Sequence, residues 1–215
     1  MKKVKIYGIQ FSTYTRVVQL VCEEKGIAYD IGFEVNHVPV AFKDKEHSQY
    51  HPYKKIPMLV DGDKVLCESL AICRYLDSTI KTNPLMPTDT WLAAKVDEWC
   101  QLAVCYINSA IIKNYILELI FPKGVDNQIR FDVMQQMKPA ALEALAIVTN
   151  QLVDQDYLLG ETFTLADAML APSLYYARHL PEKFKLIEAG STLDKYIERL
   201  EQRPSGQKVL IPKGE

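Results

Sequence analysis

Residues 51–78 read His-Pro-Tyr-Lys-Lys-Ile-Pro-Met-Leu-Val-Asp-Gly-Asp-Lys-Val-Leu-Cys-Glu-Ser-Leu-Ala-Ile-Cys-Arg-Tyr-Leu-Asp-Ser, and this stretch decides the fold. Met58-Leu59-Val60 and Lys64-Val65-Leu66 are short apolar runs. Asp61-Gly62-Asp63 between them supplies the positive φ that a tight hairpin needs. The spacing of Ile72, Tyr75 and Leu76 then predicts a buried helical face. Ser69 is the expected N-cap, so its hydroxyl and the first unbonded N–H groups converge on one point. Such a helix start attracts a carboxylate or a phosphate. Pro57 has no N–H and fixes its own φ, which pushes Ile56 into an extended conformation beside the sheet.

An extended backbone at that place receives a peptide-like ligand by strand addition. The stretch thus offers a backbone clamp, an anion site at a helix start, and Lys54 and Lys55 as cations for a second carboxylate. A small peptide with two carboxylates fits, and glutathione is one. The order x-Pro-x-x-Lys-Ile-Pro, hairpin, Glu-Ser-x-Ala-Ile-x-x-Tyr-Leu resembles the glutathione-binding half of the cytosolic glutathione transferases. The resemblance is close in this half and continues more loosely to the C-terminus. It implies that Pro57 is cis and that Ile56 holds the cysteinyl backbone of glutathione. It also implies that Glu68 and Ser69 hold the γ-glutamyl end and that Lys55 approaches the glycyl carboxylate, with Lys43 near a second such contact. The chain departs from the family at His51-Pro52-Tyr53-Lys54, where Asn-Pro-x-Gly is usual; the missing glycine bears on the loop before Lys55.

The composition is that of an ordinary globular chain. Of 215 residues, 48% are apolar and 24% charged, enough for one large or two small domains with a substantial core. A net charge of −2 gives no general attraction to nucleic acid or anionic membrane. No uninterrupted run of 18 apolar residues occurs, and the Met-Lys-Lys-Val-Lys start lacks the apolar core of a signal peptide, so no membrane association and a cytoplasmic location are expected. Cys22, Cys67, Cys73, Cys100 and Cys105 contain no Cys-x-x-Cys pair and read as reduced thiols, with no metal expected. His47 and His51 have an i, i+4 spacing that would suit zinc on a helix, but Pro52 disfavours helix at His51, and both read as surface histidines.

Along the chain, Val4–Tyr7 alternates like a strand, and Val17, Val18, Val21 and Cys22 form one helical face that Gly26 terminates. Ala28–Val35 is a second strand candidate, and a short irregular helix is expected over 42–47. This order is thioredoxin-like. Two prolines in 80–88 read as a linker. Beyond it the pattern is helical: Leu92, Val96, Trp99, Ala103, Tyr106 and Ala110 repeat, a long helix is expected from about Asp126 to Val153, and Thr164 with Asp167 forms a capping box. The expected architecture is α/β plus all-α: a thioredoxin-like domain at 1–79, a linker at 80–88, and an all-helical domain at 89–215.

A glutathione transferase must stabilise a thiolate. A free thiol titrates near ~8.5, and lowering that by ~2 units takes about 2.7 kcal/mol. A hydroxyl donor at the positive end of a helix supplies this. Ser12 follows the first strand at the start of the first helix, four residues before Arg16, a spacing similar to the serine-type phi-like and theta-like classes. It is the candidate thiolate donor; a plain N-cap is its alternative role, and the two can coexist. Tyr7 reads as a core or rim tyrosine, while Thr13 and Tyr14 are neighbouring hydroxyls. The resemblance also implies an apolar electrophile met by Phe11 and Tyr14 and some of Tyr106, Ile107, Ile111 and Tyr115, glutathione as a co-substrate in place of a cofactor, and a homodimer. The expected function is glutathione transfer to hydrophobic electrophiles. The alternatives are a binding or scaffold protein on the same fold, or a glutathione-dependent peroxidase or isomerase.

Overall fold

In the computed structural model, which describes residues 3–212, the alternation at the N-terminus becomes strand β1 (Val4–Tyr7). At Gly8 a Cβ would come within 2.8 Å of the Thr15 hydroxyl and 3.6 Å of the Ile56 side chain, so the turn out of β1 requires glycine. Helix α1 (Thr13–Lys25) buries Val17, Val18, Val21 and Cys22, and it ends at Gly26, whose φ of 64° returns its N–H to the last turn. The strand expected over 28–35 is two pieces. Tyr29–Gly32 (β2) pairs in parallel with β1, and Glu34–Val35 (β3) pairs with Val38–Pro39 (β4) in a separate ribbon. Asn36 and His37, both at positive φ, make the ribbon's turn. Where the pattern predicts a helix over 42–47 the chain makes turns instead, because Lys43 sits at φ 70° and cannot join a right-handed helix. A single helical turn, α2 (His47–Tyr50), follows.

The hairpin forms as its sequence predicts, from β5 (Met58–Asp61) and β6 (Lys64–Cys67), with Gly62 at φ 61°. Sheet order is β2-β1-β5-β6, with β5 antiparallel to both its neighbours. Because side chains alternate across a sheet, Tyr7, Met58 and Val60 pack with Val35 and Val40 on one face. Ile6 and Leu59, also fully buried, fall on the other. Helix α3 (Ser69–Thr79) packs against α1 and the hairpin strands. The ends of α1 and α3 are tied by Lys25, whose enclosed ammonium donates to Asp77 (2.9 Å) and to the carbonyls of Thr82 (2.7 Å) and Asn83 (2.9 Å).

Residues up to Leu85, together with those from Pro204 on, form one compact unit, and Met86–Arg203 form another. The C-terminal end therefore departs from the single helical domain expected over 89–215. In the first unit a short helix at Pro204–Val209 packs on α1, where Lys208 pairs with Glu23 (2.6 Å), Ser205 bonds Glu24, and the buried Arg16 donates to the Ile211 carbonyl.

The second unit is helical. Helix α4 (Thr90–Leu102), capped by Asp89 (2.8 Å to the Leu92 N–H), continues through two π-helical stretches, Ala103–Ile107 and Ser109–Ile116, into α5 (Leu117–Ile120). The i→i+5 bonding of a π-helix widens each turn and shifts the buried stripe. From Val96, Trp99 and Ala103 it moves to Ile107, Ile111 and Tyr115, while Tyr106, expected on the buried face, is 68% exposed. On length and apolar content alone, Thr90–Ile120 could cross a membrane; its middle lies against α6 (Phe131–Gln151) and α7 (Leu165–Arg178). The expected helix start near Asp126 is a 3-10 turn, and α6 begins five residues later, because Asp126 and Asn127 both hold positive φ. Helix α7 opens with the expected capping box. The wholly buried Asp167 accepts from the N–H groups of Leu158 (2.9 Å) and Thr164 (2.8 Å), the Thr164 hydroxyl (3.0 Å), and the Tyr196 hydroxyl (2.7 Å) of helix α8 (Thr192–Gln202). Burial pushes this carboxyl's pKa up, and the four donors oppose that shift.

Asp167→Ala leaves those donors buried without an acceptor. Urea unfolding should register a loss of about 3 kcal/mol or more.

Candidate active site

Sheet register gathers the candidate residues. Tyr7 pairs with Met58, and Met58 with Cys67. The turn after β1, the residue before Pro57, and Glu68-Ser69 after β6 therefore emerge at the same end of three adjacent strands. The Ile56–Pro57 bond is cis. Among the described residues, neither the N–H nor the carbonyl of Ile56 takes part in a backbone hydrogen bond.

The start of α3 differs from the expectation by one residue. Glu68 is the N-cap, and Ser69, nearly buried, is the first residue of the helix. Glu68 holds φ 69° and ψ 118°, a conformation that costs a non-glycine residue about 1–3 kcal/mol. This geometry turns the chain sharply from β6 into α3. The Glu68 carbonyl closes the first turn to the Ile72 N–H (2.9 Å), and its carboxylate stays 73% exposed.

Ser12 occupies the N-cap position of α1 with extended backbone, and its carbonyl accepts from the Arg16 N–H (2.9 Å). Its hydroxyl makes no capping bond. Neither α1 nor α3 has an acidic side chain in its first turn; α3 has the Glu68 carboxylate at its N-cap position, which makes no capping bond. Tyr7 is a core tyrosine. It is fully buried, donates its hydroxyl to the Val40 carbonyl (3.1 Å), and packs its ring 5.1 Å from Phe33 and 4.8 Å from His47. Burial raises its pKa, and the charge of Asp44 adds to the shift.

His47 and His51 are not surface histidines; both rings are buried. The His47 ring lies among Tyr7, Phe42 and His51, its Nδ1 accepts the Lys43 N–H (3.2 Å), and its Nε2 meets the Lys55 carbonyl (3.2 Å). The loop carrying Lys43 is thereby tied to the segment carrying Lys55 ahead of β5, while both lysine side chains remain exposed. His51 Nδ1 accepts the Tyr53 N–H (3.2 Å), its carbonyl accepts the Lys54 N–H (2.9 Å), and its Nε2 lies 3.7 Å from Glu68 Oε1. Lys54, at the position where the family usually has glycine, holds a positive φ of 51°. Among the described residues no group of three or more His, Cys, Asp or Glu is placed to hold a metal ion.

Comparison with known proteins gives the family. Residues 6–84 match the glutathione S-transferase N-terminal domain, and residues 106–204 match the C-terminal domain. The chain belongs to the glutathione S-transferase family. It is 28% identical to glutathione S-transferase F12 of Arabidopsis thaliana, over 98% of this chain and 99% of that one. It is 30% identical to glutathione S-transferase 3 of Zea mays, over 98% and 94%. Among solved structures, glutathione S-transferase I from mais in complex with an atrazine glutathione conjugate superposes with a TM-score of 0.81 at 27% identity, covering 96% of each chain. A glutathione S-transferase-I bound with lactoylglutathione gives 0.80 at 27% identity, covering 97% of this chain and 99% of that one.

Within this family member, Ser12, Ile56, Pro57, Glu68 and Ser69 meet at one end of the sheet, and Lys43 and Lys55 are joined through His47. Phe11 and Tyr14 flank Ser12 half-buried, the Phe11 ring 5.1 Å from the Arg16 guanidinium. In the helical unit Ile107, Ile111 and Tyr115 are interior residues, and the Tyr115 hydroxyl donates to the Phe184 carbonyl (3.3 Å). Their burial follows from the stripe shifted by the π-helical stretches, and it makes them core rather than accessible lining. The sequence reading missed the two histidines. A signal was present at His51, because the usual asparagine of Asn-Pro folds its side-chain oxygen onto a nearby backbone N–H, and an imidazole Nδ1 offers the same acceptor.

Two outcomes follow. Lys54→Gly relieves a left-handed conformation worth about 1–2 kcal/mol in a residue with a Cβ, partly offset by chain entropy, so its thermal midpoint should rise. Burial, foremost, holds the His47 pKa below its ordinary value, with the charges of His51 and Lys54 adding and the Lys55 carbonyl bond opposing. The unfolded chain therefore takes up this proton first. The stability His47 contributes is complete above pH ~6.5 and is lost as pH falls through the lowered folded value. Denaturant midpoints compared between about pH 7.5 and 5.5 should fall more steeply in the wild type than in His47→Gln.

Proposed function

We propose that the protein is a serine-type glutathione transferase, which takes glutathione as its thiolate and joins the sulfur to an apolar electrophile by substitution or conjugate addition. Glutathione lies along Ile56 and Pro57 with its cysteinyl backbone paired to Ile56. Its γ-glutamyl end meets Glu68 and Ser69 at the start of α3, and its glycyl carboxylate meets Lys55 and Lys43. Ser12 donates its hydroxyl to the sulfur. The observation that carries this reading is the Ser12 hydroxyl itself: it sits at the positive end of α1 and caps no backbone N–H. A capping bond would hold the oxygen toward the helix; without one the hydroxyl is available to an external anion. The competing Tyr7 hydroxyl is already bonded to Val40 in the core.

The glutathione conjugates in the two solved relatives support the ligand class. Glutathione is consumed as co-substrate, and the residues assigned here require no metal. Phe11 and Tyr14 border the sulfur on the electrophile side. The family resemblance supports a cytoplasmic homodimer.

Ser12→Ala should lower turnover with a generic aryl halide by roughly 100-fold, the scale of losing one preorganised donor. The pKa of bound glutathione, followed by thiolate absorbance, should return toward ~8.5. Unchanged turnover and an unshifted thiol would remove Ser12 from the mechanism.

A further inference from the structure

We infer that His47 and His51 are positioning residues of the glutathione site, each setting its Nε2 beside one residue assigned to the ligand while Nδ1 anchors the ring to a nearby loop N–H. This inference rests on the proposed glutathione reading and adds two residues to it. The chemistry starts from the ring nitrogens. An N–H pointing at Nδ1 requires that nitrogen to be an acceptor, so a neutral ring carries its proton on Nε2. Both rings are wired this way, His47 by the Lys43 N–H and His51 by the Tyr53 N–H. His47 Nε2–H then donates to the Lys55 carbonyl (3.2 Å), and His51 Nε2 lies 3.7 Å from the Glu68 carboxylate, near enough for the N–H dipole to favour the charge but longer than a hydrogen bond.

Those two residues are assigned to opposite ends of glutathione. The rings stand edge-to-face, 6.2 Å between centroids, so one buried pair reaches both ends of the ligand. The surroundings make the pair rigid. Tyr7 from β1 and Phe42 pack on His47, Lys54 is the nearby cation, and Glu68 at the start of α3 is the carboxylate facing His51. Glu68 needs such support, because its backbone is strained and its side chain is mostly exposed. An asparagine in place of His51 would satisfy the loop N–H but is too short to reach Glu68. The approach to Glu68 therefore belongs to this chain's own sequence.

Two substitutions separate the ring's two roles. His51→Asn keeps an acceptor where Nδ1 stands, and His51→Gln keeps a donor where Nε2 stands. In the full-length protein, His51→Asn should keep its thermal midpoint, raise the glutathione Kd and KM about three- to tenfold, and leave kcat at saturating glutathione unchanged. His51→Gln should recover most of the affinity while lowering the thermal midpoint. The inference is overturned if His51→Asn binds glutathione as the wild type does, or if both variants lose affinity only in proportion to lost stability. A wild-type chain that shows no calorimetric binding of glutathione overturns the ligand assignment, and this inference falls with it.

Discussion

The antiparallel pairing of β1 with β5, at Tyr7 opposite Met58, is the constraint on which the rest of the first unit depends. It sets the end of the first strand beside the residue that follows the cis bond, and the hairpin then brings the end of β6 to the same place. One strand register thereby assembles a helix start carrying an uncommitted serine, an extended backbone segment, and a second helix start carrying a carboxylate. A one-residue slip would turn Tyr7, Met58 and Val60 out of the core and disperse all three.

The second layer makes this arrangement rigid. The core beneath the sheet includes the Tyr7 ring, which supports His47, and His47 joins the Lys43 loop to Lys55. His51 folds the following loop and faces Glu68. Three residues of this region, Lys43, Lys54 and Glu68, hold positive φ. Non-glycine residues hold such conformations only where the surrounding contacts over-determine them. Here those contacts include the two buried imidazoles.

Much of this was legible from residues alone. The hairpin, the Gly26 stop, the capping box at Thr164 and the departure at His51–Lys54 each leave a local signature, and each turn or cap is decided within four residues. The features that were not legible depend on longer-range packing. Tyr106 followed the 3.5-residue stripe, yet two π-helical stretches moved it outward and drew Ile107, Ile111 and Tyr115 into the core. Ser69 satisfied every local criterion for an N-cap, but the positive φ that moves the cap to Glu68 has no marker in a glutamate. The histidines are polar and carry no local sign of burial; their backbone partners are near in sequence, but the aromatic floor includes Tyr7 of β1, far from them along the chain. The segment from Pro204 on carried no sign that it would return to α1, a contact completed by Arg16 and Lys208.

The central claim is that the Ser12 hydroxyl faces the sulfur of a glutathione molecule lying along Ile56. A crystal structure grown with saturating glutathione tests it most directly. The account predicts the sulfur within about 3.2 Å of Ser12 Oγ, with the cysteinyl backbone hydrogen-bonded to Ile56 and the γ-glutamyl carboxylate at the start of α3. A sulfur resting instead on Tyr7, Thr13 or Tyr14, or a groove that stays empty at saturation, would contradict it.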